Sequence, residues 1–379
     1  MLRKMIMEDC QNNRGLAQEL AKIAGYSSGS ALLKMLRKDI NSDCEKLDGL
    51  LKIAKYLYPE KFDDIILEFA KNLNPNRITA RLLLEYVTLY RMSEVADYLI
   101  NALKNSESAE SKEWAFVYES DSKGSKSEIS VSDTIRLLNS RKFESNEMKA
   151  YSKIAQFYCY YDQRNITLLN SLSPEIEEAI EKISNDFIKT SYYARFLLIS
   201  IDGNLHNGEI GGLLEKLFLI ENAPDPLKTL IYLQAGNSMM IKSYDKAMSY
   251  YKKAYECRTK KSEFEIKKSM NFLNLLWDKP ENYILDKDRD LSNELFYYIK
   301  VGNRKQANVM LNNIDMEQLS NHQLGFNYYY RALLNNDKNL LYKSIEYFNK
   351  CNEKFYKQLP IMELEKLGEN KYILSALSA

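Results

Sequence analysis

The chain has 379 residues, 45% of them hydrophobic and 28% charged, enough to bury one long domain and a small one. Its net charge of +1 excludes a polycation that seeks nucleic acid with its whole surface, so any DNA-binding charge has to be local. Gly and Pro are scarce, 13 and 7, which argues for helices joined by short turns and against a sheet-rich fold.

At the start, MLRKMIMEDCQNN contains no apolar run long enough for a signal peptide, and no segment approaches the ~18 apolar residues of a membrane span. The five cysteines, Cys10, Cys44, Cys159, Cys257 and Cys351, are dispersed without metal-ligand spacing, as expected of reduced cytosolic thiols.

Residues 1–60 read as a unit of short helices. Leu16, Leu20 and Ile23 form one apolar stripe, which stops at Gly25. Tyr26-Ser27-Ser28-Gly29 makes a tight turn into a second helix that runs through Arg37. This helix buries Leu32, Met35 and Leu36 and turns Ser30, Lys34 and Arg37, with Lys38 beside them, to solvent. A third helix starts at a capping box, Ser42-x-x-Glu45, carries Leu47, Leu50, Leu51, Ala54 and Leu57 inward, and ends before Pro59. The spacing is that of a helix-turn-helix DNA reader, with small Ala21 in the first helix and Gly25 in the turn. Between Arg14 and Lys38 stand five basic residues and one acid, Glu19, a balance suited to a phosphate-facing surface. A plain three-helix capping bundle with a solvated basic face would carry the same pattern.

From Lys61 onward the pattern is almost all helical. Residues 79–90 and 93–104 pair, with Ala96 as the small contact, and the Ser-rich stretch Tyr118–Val131 reads as a loop or hinge. Further helices are expected near 133–140, 145–160, 174–187, 190–202, 209–220, 226–241 and 245–258. More follow near 262–277, 290–301, 304–313, 320–335, 340–357, 361–367 and 370–377. In YDKAMSYYKKAYE, Ala247, Tyr251 and Ala254 stand four and three apart, and Ser344, Phe348 and Cys351 repeat that size order. This is what the second helix of a tetratricopeptide-type hairpin needs: a small residue for close approach, then an aromatic one turn on. The expected fold is therefore all-α. An N-terminal helix-turn-helix domain (1–60) precedes a right-handed superhelix of degenerate tetratricopeptide-like hairpins (61–359), with capping or dimerisation helices at 360–379.

No catalytic signature stands out, and nothing implies a metal or cofactor: phosphate loops, HExxH and Cys-x-x-Cys are absent. His206 and His322 each sit in a polar, loop-like context that reads as surface. Polar residues on segments otherwise rich in apolar side chains are more informative: Asp202, Lys228, Gln234, Asn237, Asn271, Asn274 and Asn327. Inward-facing amides can hydrogen-bond both N–H and C=O of an extended peptide, and Tyr232, Phe272, Tyr297 and Phe355 would wall such a groove. Those rings serve equally as inter-helix packing. After Pro360, Leu364 and Leu367 with Ile361 make one apolar stripe, and Ile373, Leu374 and Leu377 with Tyr372 another. A last hairpin has no following repeat, so this end calls for homodimerisation or for a self-capping fold-back.

The run LGFNYYYRALLNNDKNLLYKSIEYFNK, then KQLPIMELEKLGENKYIL, and the earlier NFLNLLW closely resemble the arbitrium receptors, the AimR family of temperate Bacillus phages. The resemblance spans the chain and is strongest past residue 320. It implies a homodimeric, DNA-binding transcriptional activator in the host bacterial cytoplasm that controls lysis versus lysogeny. A short peptide, typically ending Arg-Gly-Ala, would bind the repeats and switch activation off. It further implies Glu353 as the acid for the peptide's arginine, Lys228 as the cation for its carboxylate, and Asp202, Asn237 and Phe272 as groove positions. DNA contact would fall to Ser28, Ser30, Lys34, Arg37 and Lys38, on a palindromic operator with separated half-sites. Rival readings are a Rap-type peptide-regulated phosphatase of a response regulator and a tetratricopeptide adaptor that binds a protein and no DNA.

Overall fold

The computed structural model describes residues 2–38, 43–44, 46–163, 165–206, 211–259, 262–285 and 289–378. The expected capping box, Ser42 and Glu45, lies outside them, as does the side chain of His206. Among the described residues every regular element is a helix. They fall into two compact units, one of residues 1–196 with 222–224, the other of 197–221 with 225–379.

The first unit begins with α1 (Leu2–Asn12), α2 (Leu16–Ile23), α3 (Gly29–Leu36) and α4 (Leu47–Leu57). The opening helix α1 did not figure in the expected elements; it forms because Leu2 and Ile6 are fully buried against its neighbours. There follow α5 (Phe62–Lys71), α6 (Ile78–Leu89), α7 (Ser93–Lys104), α8 (Ala109–Ser125), α9 (Val131–Asn139), α10 (Asn146–Asp162), α11 (Ile166–Glu181) and α12 (Asp186–His206), whose residues past 196 belong to the second unit.

The Ser-rich stretch expected as a loop is instead mostly the end of α8. Ser120 donates its hydroxyl to the Phe116 carbonyl (2.8 Å) and Ser125 to that of Ser122 (2.9 Å), so these side chains fold back onto the helix without breaking it. Only Lys126–Ser130 turns, and Ser130 then caps α9 by accepting the Asp133 N–H. Trp114, Tyr118, Tyr151 and Tyr192 stack through this unit's core, with ring centroids 5.6, 4.5 and 5.0 Å apart. Beside the stack lies a buried ion pair. Glu85 of α6 accepts Arg195 Nε (3.0 Å) and Nη2 (3.1 Å) from α12, the Tyr118 hydroxyl (2.7 Å) from α8, and the Ser191 hydroxyl. Both carboxylate oxygens are thus compensated away from water.

The second unit holds α13 (Asp225–Met239), α14 (Tyr244–Glu256), α15 (Glu263–Leu276), α16 (Leu291–Lys300), α17 (Arg304–Asn312), α18 (Asn321–Asn335), α19 (Lys338–Lys350), α20 (Gln358–Lys366) and α21 (Lys371–Ser378). Residues 211–220, expected as an α-helix, form a 3₁₀ helix, and the expected helix 340–357 ends at Lys350. Five of the six signature positions, Ala247, Tyr251, Ala254, Ser344 and Phe348, are fully buried, whereas Cys351 stands just past the end of α19 and is half buried.

What the size pattern did not disclose is the partner position. Tyr251 lies on Gly236 and Phe348 on Gly325, where an added Cβ would sit 2.3 and 2.6 Å from the ring. Ser344 also donates to the Gly325 carbonyl (2.7 Å), so glycine, not alanine, sets the closest approach of α13 to α14 and of α18 to α19.

Candidate functional site

Two surfaces carry the expected site residues, one in each unit. In the first unit, α2 and α3 are bound by a short turn in which Gly25 takes φ 68°. Gly29 packs on the Ala17 backbone, where a Cβ would stand 3.1 Å away, and its N–H donates to Gln18 Oε1 (3.0 Å). Gly49 of α4 closes on the Ala24 carbonyl in the same way, at 2.6 Å for an added Cβ. These contacts hold α3 rigidly and leave one face of it outward: Ser30, Lys34, Arg37 and Lys38 are all exposed. Ser28 is the N-cap, its hydroxyl oxygen accepting the Ala31 N–H (3.2 Å), so it orients α3 and is only half exposed.

In the second unit a cleft of about 810 Å³ opens between α13, α15, α16 and α18, at the upper end of the size range of small-ligand pockets. Phe272, Phe326, Tyr330 and Tyr356 give it an aromatic lining, and Asn237, Asn293, Gln323 and Asn327 supply amides. Among the described residues it is also lined by Lys268, Asp290 and His322, and Lys268 Nζ is paired to Asp290 Oδ2 at 3.0 Å. Amides spaced along an apolar wall can hold a peptide backbone while aromatic rings take side chains.

Of the expected peptide-binding residues, the cleft brings together Asn237, Phe272 and Asn327. Asn237 accepts the Tyr251 hydroxyl (2.9 Å) and donates to Gln234 Oε1 (2.8 Å), which keeps its amide on the cleft side of α13. Asn327 accepts Arg331 Nε (2.8 Å). Phe272 meets Phe326 edge to face at 6.1 Å.

Asp202, Lys228, Tyr232 and Gln234 are half buried and do not line this cleft. Lys228 is tied to Asp225 (2.9 Å); burial alone would lower its ammonium, but Asp225 raises it above the ordinary lysine value. Tyr232 lies under Lys253, 5.6 Å from its ring centre.

Three expectations are corrected. Asn271 does recognise an extended backbone, but its own: its amide donates to the Ile284 carbonyl (2.8 Å) and accepts the Ile284 N–H (2.7 Å). Phe355 is a core residue packed with Met270 and Leu273, 2% exposed, and walls nothing. Leu364 is likewise fully buried in its own unit's core, so of the expected dimerisation set only Leu367 and Ile373 are exposed, while Leu374 and Leu377 lean on that core.

Glu353 is buried, and its Oε1 accepts the N–H of Phe355 (3.0 Å) and of Tyr356 (3.1 Å), capping the turn after α19. Its Oε2 lies 3.9 Å from His322 Nε2. His322, expected at the surface of a loop, instead stands in the first turn of α18 and lines the cleft, ringed by Phe326, Phe348 and Tyr356 at 5.2, 6.0 and 5.7 Å. The signal was present in the sequence. Ser320-x-x-Gln323 is a capping box that starts a helix at Asn321 and sets His322 four residues before Phe326.

Among the described residues no helix is long and apolar enough to cross a membrane, and no three His, Cys, Asp or Glu side chains converge as a metal site.

Over residues 63–366 the chain matches the profile of a family described as AimR transcriptional regulator-like. It is similar to the AimR transcriptional regulator of Bacillus phage phi3T, at 32% identity over 380 residues, covering 99% of this chain and 100% of that one. Among solved structures it is similar to SeMet-phAimR, with a TM-score of 0.90 at 30% identity and 100% of both chains covered. It is also similar to the structure titled phAimR-Ligand, with a TM-score of 0.66 at 30% identity, covering 88% of this chain and 100% of that one.

Proposed function

This chain belongs to the AimR family of transcriptional regulators, and from that membership we propose that it is a peptide-responsive, DNA-binding activator governing a phage's choice between lysis and lysogeny. The observation that carries the reading is the cleft. A chain similar throughout its length to a transcriptional regulator holds a cavity of about 810 Å³ walled by amides and rings, and a structure similar to it was solved with a ligand. The ligand is a short peptide ending Arg-Gly-Ala, laid along Asn237, Phe272 and Asn327. In this reading the groove extends past the cleft to Asp202, Lys228, Tyr232 and Gln234.

Residues 1–60 supply the DNA reader. Ser30 and Lys34 on α3, with Arg37 and Lys38 at its end, meet a major groove and its phosphates. Ser28 fixes the helix that presents them. Two chains joined through their C-terminal helices at Leu367 and Ile373 then bear two readers, so the operator is a palindrome with separated half-sites. Linking two weak readers raises avidity only where their separation fits the DNA. A peptide that favours one arrangement of the repeats over another shifts the population away from the fitting dimer and switches activation off.

The test is operator binding by fluorescence anisotropy and association state by sedimentation, with and without the tightest binder from a hexapeptide library fixed at Arg-Gly-Ala. Saturating peptide should weaken operator affinity at least tenfold, and Lys34→Ala with Arg37→Ala should abolish specific binding while leaving peptide affinity intact. Operator affinity unmoved by both changes would overturn the reading.

A further inference from the structure

We infer that Asp290 is the seat for the ligand's amino terminus, and that Lys268 fills the seat until a peptide displaces it. This deepens the peptide reading and rests on it. Asp290 immediately precedes α16 and caps it, its Oδ1 accepting the Asn293 N–H (2.8 Å). Its Oδ2 is taken by Lys268 Nζ of α15 at 3.0 Å. Asn293, 2% exposed, donates its side-chain amide to the Lys268 carbonyl (2.7 Å), which ties the start of α16 to α15. The carboxylate is thus held in place before any ligand arrives, and it lines the cleft.

The two partners differ in freedom. The Asp290 side chain is 17% exposed and anchored by its cap, whereas that of Lys268 is 41% exposed at the end of a four-carbon stem. The lysine can swing into solvent without opening a cavity; the aspartate stays where the helix holds it. Exchange of one ammonium for another leaves the charge of the site unchanged, so no carboxylate is stranded without a partner.

The chemistry of the seat selects its occupant. With Oδ1 committed to the cap, Asp290 offers a cation one oxygen. That suits an ammonium, a compact charge with rotatable donors, which is the group Lys268 already presents. A guanidinium fork bonds best to both oxygens of a carboxylate and would compete with the cap. An unblocked peptide always carries one ammonium, its α-amine. Phe272 follows Lys268 by one turn on the same face of α15 and also lines the cleft, so the seat opens onto the aromatic wall. The ligand then runs from Asp290 toward Asn237 on α13, with its carboxylate on the side where Lys228 stands.

The experiment is calorimetry with the selected hexapeptide, taken lysine-free so that its α-amine is its one ammonium, and with the N-acetyl twin. For the unaltered protein, acetylation should weaken binding about tenfold or more, as the loss of a charge-assisted bond does. In Asp290→Asn, which keeps a capping side chain on α16, the two peptides should bind within about twofold of each other. Asp290→Ser, also a capping residue, is the second variant, and both are checked for an unchanged melting temperature. Lys268→Met removes the competing ammonium and should tighten the free-amine peptide by up to about fivefold, with no gain for the acetylated one. An acetylation effect equal in the unaltered protein and both Asp290 variants would overturn the seat, as would the lack of any effect. A Lys268→Met protein that loses affinity would overturn it in favour of a ligand anion held by the lysine. A protein that binds neither peptide would sink the peptide reading beneath it.

Discussion

Asn271 and Asn237 have the same side chain but different tasks. Asn271 is 6% exposed and closes on both backbone groups of Ile284, whereas Asn237 stands at the cleft wall. Asn271→Ala should cost about 1–3 kcal/mol of stability, because two partly buried backbone groups lose their partners, and should leave peptide affinity within about twofold. Asn237→Ala should do the reverse to affinity, weakening the peptide about tenfold, as the loss of one ligand-facing hydrogen bond would. Chemical denaturation and calorimetry on the pair separate the two roles. The sequence marks both amides as polar residues on segments otherwise rich in apolar side chains, and the structure sets Asn271 in the interior and Asn237 at the cleft wall. Sequence reasoning could not tell a ligand's backbone from the chain's own, since the segment that Asn271 grips returns 13 residues later without regular structure. The same limit applies to Phe355: an aromatic among apolar residues reads alike whether it lines a groove or fills a core.

Helical hairpins were the most legible elements. Their signature is a steric one, and steric requirements leave residues of defined size at defined spacing. The two glycines opposite the rings belong to that signature, although a lone Gly inside a helical pattern is more readily taken as a weakness than as a seat. Gly325→Ala would push a methyl to within 2.6 Å of Phe348. It should destabilise the second unit by about 1–3 kcal/mol despite alanine's better helix propensity, read as a lower urea midpoint with unchanged slope. Phe348→Leu in the same chain should recover part of the loss by vacating the ring's space. The misread element, α8, shows where composition misleads. Serine density suggests a loop only when the hydroxyls compete with the helix for backbone groups, and here they bond to carbonyls within the preceding turn.

At the scale of the whole molecule, the expected partition into 1–60, 61–359 and 360–379 was drawn by expected role, while compactness divides the chain near residue 196. Local periodicity carries no information on which hairpins share a core, so this boundary was not legible. The C-terminal end was legible in part. Leu364 is claimed by its own core, but Leu367 is 39%, Tyr372 75% and Ile373 43% exposed, and α21 buries none of its residues fully. If these side chains meet a second copy, Leu367→Asp with Ile373→Asp should convert dimer to monomer in sedimentation. The melting temperature of the monomer should change little, since both positions lie outside the core. A dimer that survives the double substitution would move the interface elsewhere.

The Glu85 knot has a practical corollary for anyone splicing receptors of differing ligand preference. Its members come from α6, α8 and α12, a stretch of sequence from residue 85 to residue 195, yet they act as a single fastening. A crossover inside that stretch that brings in a helix without the matching arginine would strand a carboxylate in the interior, at a cost of about 3–5 kcal/mol. Grafts that exchange the interval whole, or cut before α6 and after Arg195, keep the fastening closed. The workable seams of a hybrid are thus dictated by one ion pair inside the first unit.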